Sequence, residues 1–186
     1  MAEAPASAAP DEAGETPQGR RRRWLLFGGT AIAVVILDQL TKAWVDANYA
    51  RAAEGGSTEL IGDLVRISKV YNDGAIFGFL DASAMLMALL TVFVVAAVLW
   101  YEWRHGAGLG PMVTVGLGLL TGGAIGNLID RLRFGHVIDF VDMGFGDMRW
   151  YAWNISDAAV FLGIVALFIA ALLGDRAPGV RTGGSA

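Results

Sequence analysis

Aspartates are the side chains of this sequence best suited to chemistry, because it contains no cysteine and only two histidines. Two carboxylates held close together share a proton, since both cannot ionise comfortably. The ionised carboxylate then takes a proton from water, and the protonated one donates a hydrogen bond to a scissile carbonyl. Five aspartates lie in or beside the loops that we assign to the outer side of a membrane below: Asp130, Asp139, Asp142, Asp147 and Asp157.

Three of these aspartates differ in their surroundings. Asp139 and Asp142 form a poor pair, because residues three apart in an extended strand face opposite sides. Asp157 follows Asn154 at the start of a long apolar segment, which is the pattern of a helix cap. The helix dipole there favours a charged carboxylate. Asp139 lies among apolar neighbours in residues 136–141, where it is either solvated or turned inward for function, and the residues alone leave both possibilities open.

Two further polar pairs have the i,i+4 spacing that places both side chains on one helix face. Asp38 and Lys42 are either an interfacial ion pair that ends a membrane span or a brace for a polar site beside them. Asn127 and Arg131 are either an interfacial anchor, with the arginine favourable near a helix C-terminus, or a pair suited to binding a peptide backbone.

Other hydrolytic chemistries have weaker support. Metal hydrolysis lacks an HExxH motif, and the two histidines, His105 and His136, are expected on opposite sides of the membrane. A serine triad lacks G-x-S-x-G, and a serine–lysine dyad, possible in principle with Lys42 or Lys69, has no serine placed convincingly near either lysine. Residues 144–147 spell G-x-G-D, a motif of another class of intramembrane aspartyl protease. In that class the motif lies on a membrane helix, whereas here it falls in a polar loop.

Four long apolar segments must position these residues, at about 24–45, 83–101, 109–129 and 155–173. The sequence is 55% hydrophobic and 17% charged, whereas soluble domains carry about 25% charged residues. A helix needs about 20 residues to cross the hydrocarbon core. The third segment carries Gly118, Gly122 and Gly126 at intervals of four, which favours close helix packing. The pattern predicts a four-helix membrane protein.

Four spans place both chain termini on one side, and the four arginines at 20–23 predict that this side is cytoplasmic. A cleaved signal peptide is the alternative for the first segment, but its apolar run continues directly into the polar pattern at 38–42. Residues 1–19 contain four of the 18 acidic residues and no base. We therefore predict a disordered cytoplasmic tail with a basic flank at 1–23, a membrane domain at 24–175 and a flexible cytoplasmic tail at 176–186.

The two outer loops, at about 46–82 and 131–153, contain β-strand patterns. Residues 59–71 alternate between apolar and polar side chains, and residues 136–141 are β-branched and aromatic. The predicted fold is therefore an all-α membrane protein of four transmembrane helices with a small β-sheet on its outer face.

The chain resembles bacterial lipoprotein signal peptidase, also called signal peptidase II, over about residues 24–175. Four blocks carry the resemblance, in order: DQLTK at 38–42, NDGAIF at 72–77, GGAIGNLIDR at 122–131 with GHVIDF at 135–140, and NISD at 154–157. Three departures retain every reactive group. Ile76 and Ser156 stand where the family often has alanine, and Trp153 stands where it often has phenylalanine.

The resemblance implies an inner-membrane aspartyl endopeptidase that cuts prolipoproteins before a diacylglyceryl-modified cysteine. Its catalytic pair would be Asp139 and Asp157, near the outer face. The supporting residues would be Asn72, Gly123, Asn127, Arg131, Asn154, Asp38 and Lys42. It implies no metal and no cofactor. We expect a monomer whose partners are prolipoprotein substrates and membrane lipids, without nucleic acid. The alternative is a small non-enzymatic transporter or scaffold, which would explain the glycine-lined span but usually has its site near the midplane.

Overall fold

The computed structural model describes residues 15–73 and 84–175, which contain four long helices and a small sheet. The helices are α1 (Pro17–Asn48), α2 (Ala84–His105), α3 (Pro111–Phe134) and α4 (Ile155–Leu173). All four are long and apolar enough to cross a membrane. Large apolar side chains such as Phe93 and Phe168 are exposed on their outer surfaces, as expected where lipid replaces water. The predicted four-helix membrane architecture is confirmed.

The first helix begins earlier than its hydropathy predicts. Residues 17–23, which we expected in the disordered tail, form its first two turns. The Thr16 side chain caps this start by accepting the N–H of Gly19 at 3.0 Å, and Pro17 occupies a position where its missing N–H costs nothing. Arginine is also a good helix former. The rest of the predicted N-terminal tail, at 1–14, and the predicted C-terminal tail at 176–186 lie outside the described residues.

The predicted strand at 59–71 is two strands. β1 (Ser57–Ile61) and β2 (Val65–Asn72) pair antiparallel, and the turn between them includes Gly62 with a φ of +47°. This left-handed backbone favours glycine, so a strand-like pattern is interrupted by a turn that apolar alternation alone does not reveal. β3 (Val137–Phe145) extends the predicted 136–141 strand and pairs with β2, and β4 (Met148–Arg149) completes the order β1-β2-β3-β4.

α3 lies at the centre of the bundle and contacts each of the other three helices. Glycines allow these close approaches: a Cβ on Gly122 would lie 2.7 Å from the carbonyl oxygen of Ala31 on α1, and one on Gly123 would lie 2.4 Å from that of Ser156 on α4. The glycine spacing therefore brings α1 and α4 close to α3, as expected for small-residue packing.

The two ends of the bundle are held differently. At the end that carries the sheet, Val45 of α1, Ile67 of β2 and Phe140 of β3 form a buried cluster that joins helices to sheet. At the opposite end, which we call the terminal end, Arg23 of α1 donates to the Glu102 carboxylate of α2 at 2.7 Å. There Asp175 accepts two backbone N–H groups from the first turn of α3.

Candidate active site

Two aspartates from different elements meet at the sheet end of the bundle. Asp139 is the third residue of β3 and is 2% exposed. Asp157 lies in the first turn of α4, which positions its carboxylate at the start of that helix. Asn154 is the N-cap of α4 and is fully buried. The sheet supplies one carboxylate and a helix start supplies the other.

Asn154 links the two aspartates directly. Its side-chain Nδ2 donates to Asp139 Oδ1 at 2.6 Å, and its backbone N–H donates to Asp157 Oδ2 at 3.2 Å. Its Oδ1 accepts the backbone N–H of Asp157 at 3.0 Å. The predicted helix cap is therefore present. Because the amide oxygen is held by the helix, only the amide nitrogen can face Asp139.

Asn127, two turns before the end of α3, holds the Asp157 carboxylate with its side-chain amide, as Asn154 holds the Asp139 carboxylate. Its Nδ2 donates to Asp157 Oδ1 at 2.8 Å. Its Oδ1 accepts from Lys42 Nζ at 2.9 Å and from Asn154 Nδ2 at 3.1 Å. An ammonium is a donor only, so Lys42 fixes the orientation of this amide and turns its nitrogen toward Asp157.

Burial dominates the ionisation of Asp139, the member of the pair that lies outside the membrane helices. Desolvation raises the pKa of Asp139 to about 6, opposed by the hydrogen bonds from Asn72 and Asn154 and assisted by the charge of Asp157. The Asn72 Nδ2 donates to Asp139 Oδ2 at 2.9 Å from the end of β2. A carboxyl group with such a pKa exchanges its proton close to neutral pH, which suits general acid–base chemistry.

A buried charge cluster lies beneath the pair. Lys42 is 2% exposed and pairs with Asp38 at 2.9 Å and with Asp130 at 2.8 Å. Asp38 Oδ1 also accepts the backbone N–H of Ser156 at 2.9 Å, at the start of α4. Asp130 Oδ2 accepts the backbone N–H of Ile138 at 3.1 Å, next to Asp139. The cluster thus connects α1 and α3 to both elements that carry the aspartates.

Asp130 and Gln39 belong to this network, although sequence reasoning gave neither a supporting role. Gln39 Nε2 donates to Asp130 Oδ1 at 2.9 Å and to Asp38 Oδ2 at 3.2 Å. One available signal was the helical spacing that places Asp130 one turn after Asn127.

The remaining candidates, Gly123 and Arg131, contact neighbours of the two aspartates. Gly123 packs against α4 at Ser156. Arg131 Nη1 lies 3.4 Å from the carbonyl oxygen of Asn127, and the charge of Arg131 interacts with Asp157, Asp139 and Asp130.

The G-x-G-D motif lies away from this site. Asp147 occupies the exposed turn between β3 and β4 and is not on a helix, so the motif lacks the context that it needs. Among residues 15–73 and 84–175, no group of three potential metal-ligating side chains is positioned to hold a metal ion. The arrangement that remains is a pair of carboxylates held by two oriented amides, which is suited to activating water.

Comparison with known proteins agrees with this arrangement. The family model described as signal peptidase (SPase) II matches residues 30–173. A lipoprotein signal peptidase of Syntrophomonas wolfei is 38% identical over 150 residues, covering 81% of this chain and 95% of the relative. One of Rhodococcus jostii is 37% identical over 188 residues, covering 96% and 86%.

Solved structures show the same fold. A bacterial membrane enzyme solved by the in meso method at 1.9 Å resolution superposes with a TM-score of 0.70 at 27% identity, covering 87% of this chain and 98% of that one. A second, at 2.3 Å resolution, has a TM-score of 0.69 at 27% identity and covers 89% and 94%.

Proposed function

The chain belongs to the signal peptidase II family, and we propose that Asp139 and Asp157 carry out its peptide-bond hydrolysis. The family places it among multi-pass bacterial membrane proteases that remove signal peptides from prolipoproteins. The observation that carries the assignment is Asn154, which donates its side-chain N–H to one aspartate and its backbone N–H to the other. A single buried residue thereby holds two carboxylates in one site.

The two aspartates take different roles. Each aspartate accepts two hydrogen bonds, but Asp157 also lies at a helix start, where the helix dipole favours its ionised form. Asp157 therefore removes a proton from the attacking water. Asp139, whose pKa burial raises to about 6, carries the shared proton and donates it to the scissile carbonyl oxygen.

The reaction then balances through the same two groups. The water oxygen bonds to the carbonyl carbon and forms a gem-diol. Asp157 passes its proton to the amide nitrogen while Asp139 recovers a proton from a diol hydroxyl, and the C–N bond breaks. The products are a carboxylic acid and an amine, and both aspartates return to their starting states. Holding both groups in place before substrate arrives lowers the entropic part of the barrier.

The substrate is cut before a diacylglyceryl-modified cysteine at the outer face of the inner membrane. The acyl chains remain in the bilayer against the apolar helix surfaces, while the peptide reaches Asp139 at the sheet end. The arginines at 20–23 lie at the terminal end, which supports a cytoplasmic location for both chain termini. The sheet end is then the outer one, and the protein acts as a monomer without metal or cofactor.

The test is cleavage of a lipidated precursor and of its unlipidated form by purified protein. Asp139→Asn and Asp157→Asn each abolish cleavage, whereas the matched control Asp147→Asn, an exposed turn residue, retains it. Only the lipidated precursor is cut. Full activity of Asp139→Asn would overturn the assignment, and loss of activity in Asp147→Asn alone would favour the G-x-G-D alternative. A folded protein that cleaves neither precursor would support the non-enzymatic transporter or scaffold.

A further inference from the structure

The hairpin between β3 and β4 and the segment that follows it expose large apolar side chains. Phe145 and Trp150 are each 63% exposed, Tyr151 is 78% exposed and Met148 is 81% exposed. Three of the four are aromatic and the fourth is a methionine, and we call the set the aromatic tip. Burying such side chains contributes about 1.5–3 kcal/mol each, so four neighbouring ones are a costly feature to leave in water.

The basic side chains beside the aromatic tip are neutralised by acids. Arg149 pairs with Asp142 at 3.1 Å and with Asp63 at 3.2 Å. Arg66 pairs with the Asp63 carboxylate and with Glu59 at 3.5 Å. Asp63 also accepts the backbone N–H of Gly146, which ties the hairpin to the turn between β1 and β2. The tip is therefore an apolar edge fixed to the turn between β1 and β2, and the two arginines beside it are already paired with acidic side chains.

The connection to α4 limits how far the tip can lie from the bilayer. α4 has 19 residues and is therefore about 28 Å long, close to the hydrocarbon thickness of about 30 Å. Its first residue, Ile155, then lies at the hydrocarbon boundary. Trp150 lies five residues earlier, so an extended chain places it within about 17 Å of that boundary.

The chemistry of the tip indicates the headgroup layer rather than the hydrocarbon. Asp147 occupies the turn, and a charged group is costly at hydrocarbon depth. β4 is an edge strand, whose backbone groups also require polar surroundings. Tryptophan and tyrosine are enriched at the interface between the two layers, because an apolar ring and a polar atom are both satisfied there.

We propose that the aromatic tip inserts into the lipid headgroup interface at the sheet end of the bundle and anchors β3 to the membrane surface. The ligand is the lipid surface itself. Because Asp139 lies on β3, this anchor fixes the depth of that residue relative to the bilayer. The anchor does not depend on the proposed catalytic roles, since it follows from exposure, charge pairing and the position of α4.

The absence of cysteine from the sequence makes a direct test possible. Met148→Cys is labelled with a nitroxide, and the protein is placed in nanodiscs of phosphatidylethanolamine and phosphatidylglycerol. Collision rates are measured with oxygen, which concentrates in lipid, and with a water-soluble nickel chelate. Glu54→Cys is the matched control at the same end, since Glu54 is charged and 61% exposed. Phe93→Cys, 72% exposed on α2, reports the hydrocarbon.

At position 148 we expect nickel collisions several-fold below those at position 54, and oxygen collisions between those at positions 54 and 93. Nickel access equal to that at position 54 would overturn the proposal, because the tip would then face water. A label protected from both reagents would also overturn it and would indicate protein contact, for example with a second copy. Thermal unfolding of each labelled variant, compared with the unlabelled protein, verifies that the fold is retained.

Discussion

Removing the buried ammonium with Lys42→Met tests the charge cluster beneath the aspartates. Lys42 is 2% exposed and lies within 2.9 Å of Asp38, Asp130 and the amide oxygen of Asn127. The variant leaves two buried carboxylates without their cation. Breaking a buried pair by removing one partner costs about 3–5 kcal/mol, so we expect a loss of that size in the free energy of unfolding.

The same substitution changes the site in a second way. Without the ammonium, one of the two donors that hold the Asn127 oxygen is lost, and only the Asn154 amide still donates to it. A flipped Asn127 would present its oxygen to Asp157 and remove a hydrogen bond from that carboxylate. Cleavage should therefore fall even when the protein is assayed at a temperature at which it remains folded.

The two effects can be separated by a second variant. Lys42→Met combined with Asp130→Asn removes one of the uncompensated charges, so it should recover part of the lost stability. It does not restore the orientation of Asn127, so cleavage should stay low. Stability is measured by denaturant unfolding in detergent, and cleavage with the lipidated precursor. A stability loss below about 1 kcal/mol in Lys42→Met, together with full cleavage, would refute the reasoning.

Three further predictions concern single residues. The pKa of Asp139, raised from 3.8 to about 6, means that the folded state binds the proton more tightly, so this group lowers the free energy of unfolding as pH rises from 3.8 to 6. Asp139→Asn should remove this contribution, roughly 3 kcal/mol. The free energy of unfolding is measured at pH 4 and pH 7 for the unsubstituted protein and for Asp139→Asn. An equal pH dependence in the two would contradict the prediction. The buried Ser156 hydroxyl has no hydrogen-bond partner within 15–73 and 84–175, so Ser156→Ala should leave the melting temperature unchanged or raise it, and a marked fall would show that the hydroxyl is satisfied. Gly123→Ala should be strongly destabilising because its Cβ would lie 2.4 Å from the backbone oxygen of Ser156, whereas Gly28→Ala, with nothing within 4 Å, should be stabilising by about 0.5–1 kcal/mol; similar melting temperatures for the two would contradict the packing.

Hydropathy and helix spacing were sufficient to predict the four spans and the polar pairs at their ends. They failed where a local signal competes with hydropathy. Residues 17–23, which end in four arginines, look like a flank, yet a threonine cap and a proline start the helix there. The turn at Gly62 interrupts an alternating pattern because it depends on backbone conformation, to which apolar spacing is insensitive.

Local patterns predicted only the helix cap of the candidate site, whereas the pairing of Asp139 with Asp157 was implied by the family resemblance. The Asn154 cap is a contact over three residues, and its pattern is visible in the sequence. The Lys42 contact with Asn127 spans 85 residues, and the Gln39 contact with Asp130 spans 91. Such pairs depend on how α1 crosses α3, which no local pattern specifies. The resemblance named Lys42 as supporting, and the structure adds a physical reason: it orients an amide.

The position of Asn154 and Asp157 on the last helix has a consequence for biosynthesis. A nascent chain that has inserted only α1, α2 and α3 carries Asp139 but lacks both the second carboxylate and the amide that joins the pair. On the proposed mechanism, such a partly made chain cannot hydrolyse peptides. Activity therefore begins only when the final helix docks, so a protease that works among other membrane proteins is inactive throughout its own synthesis.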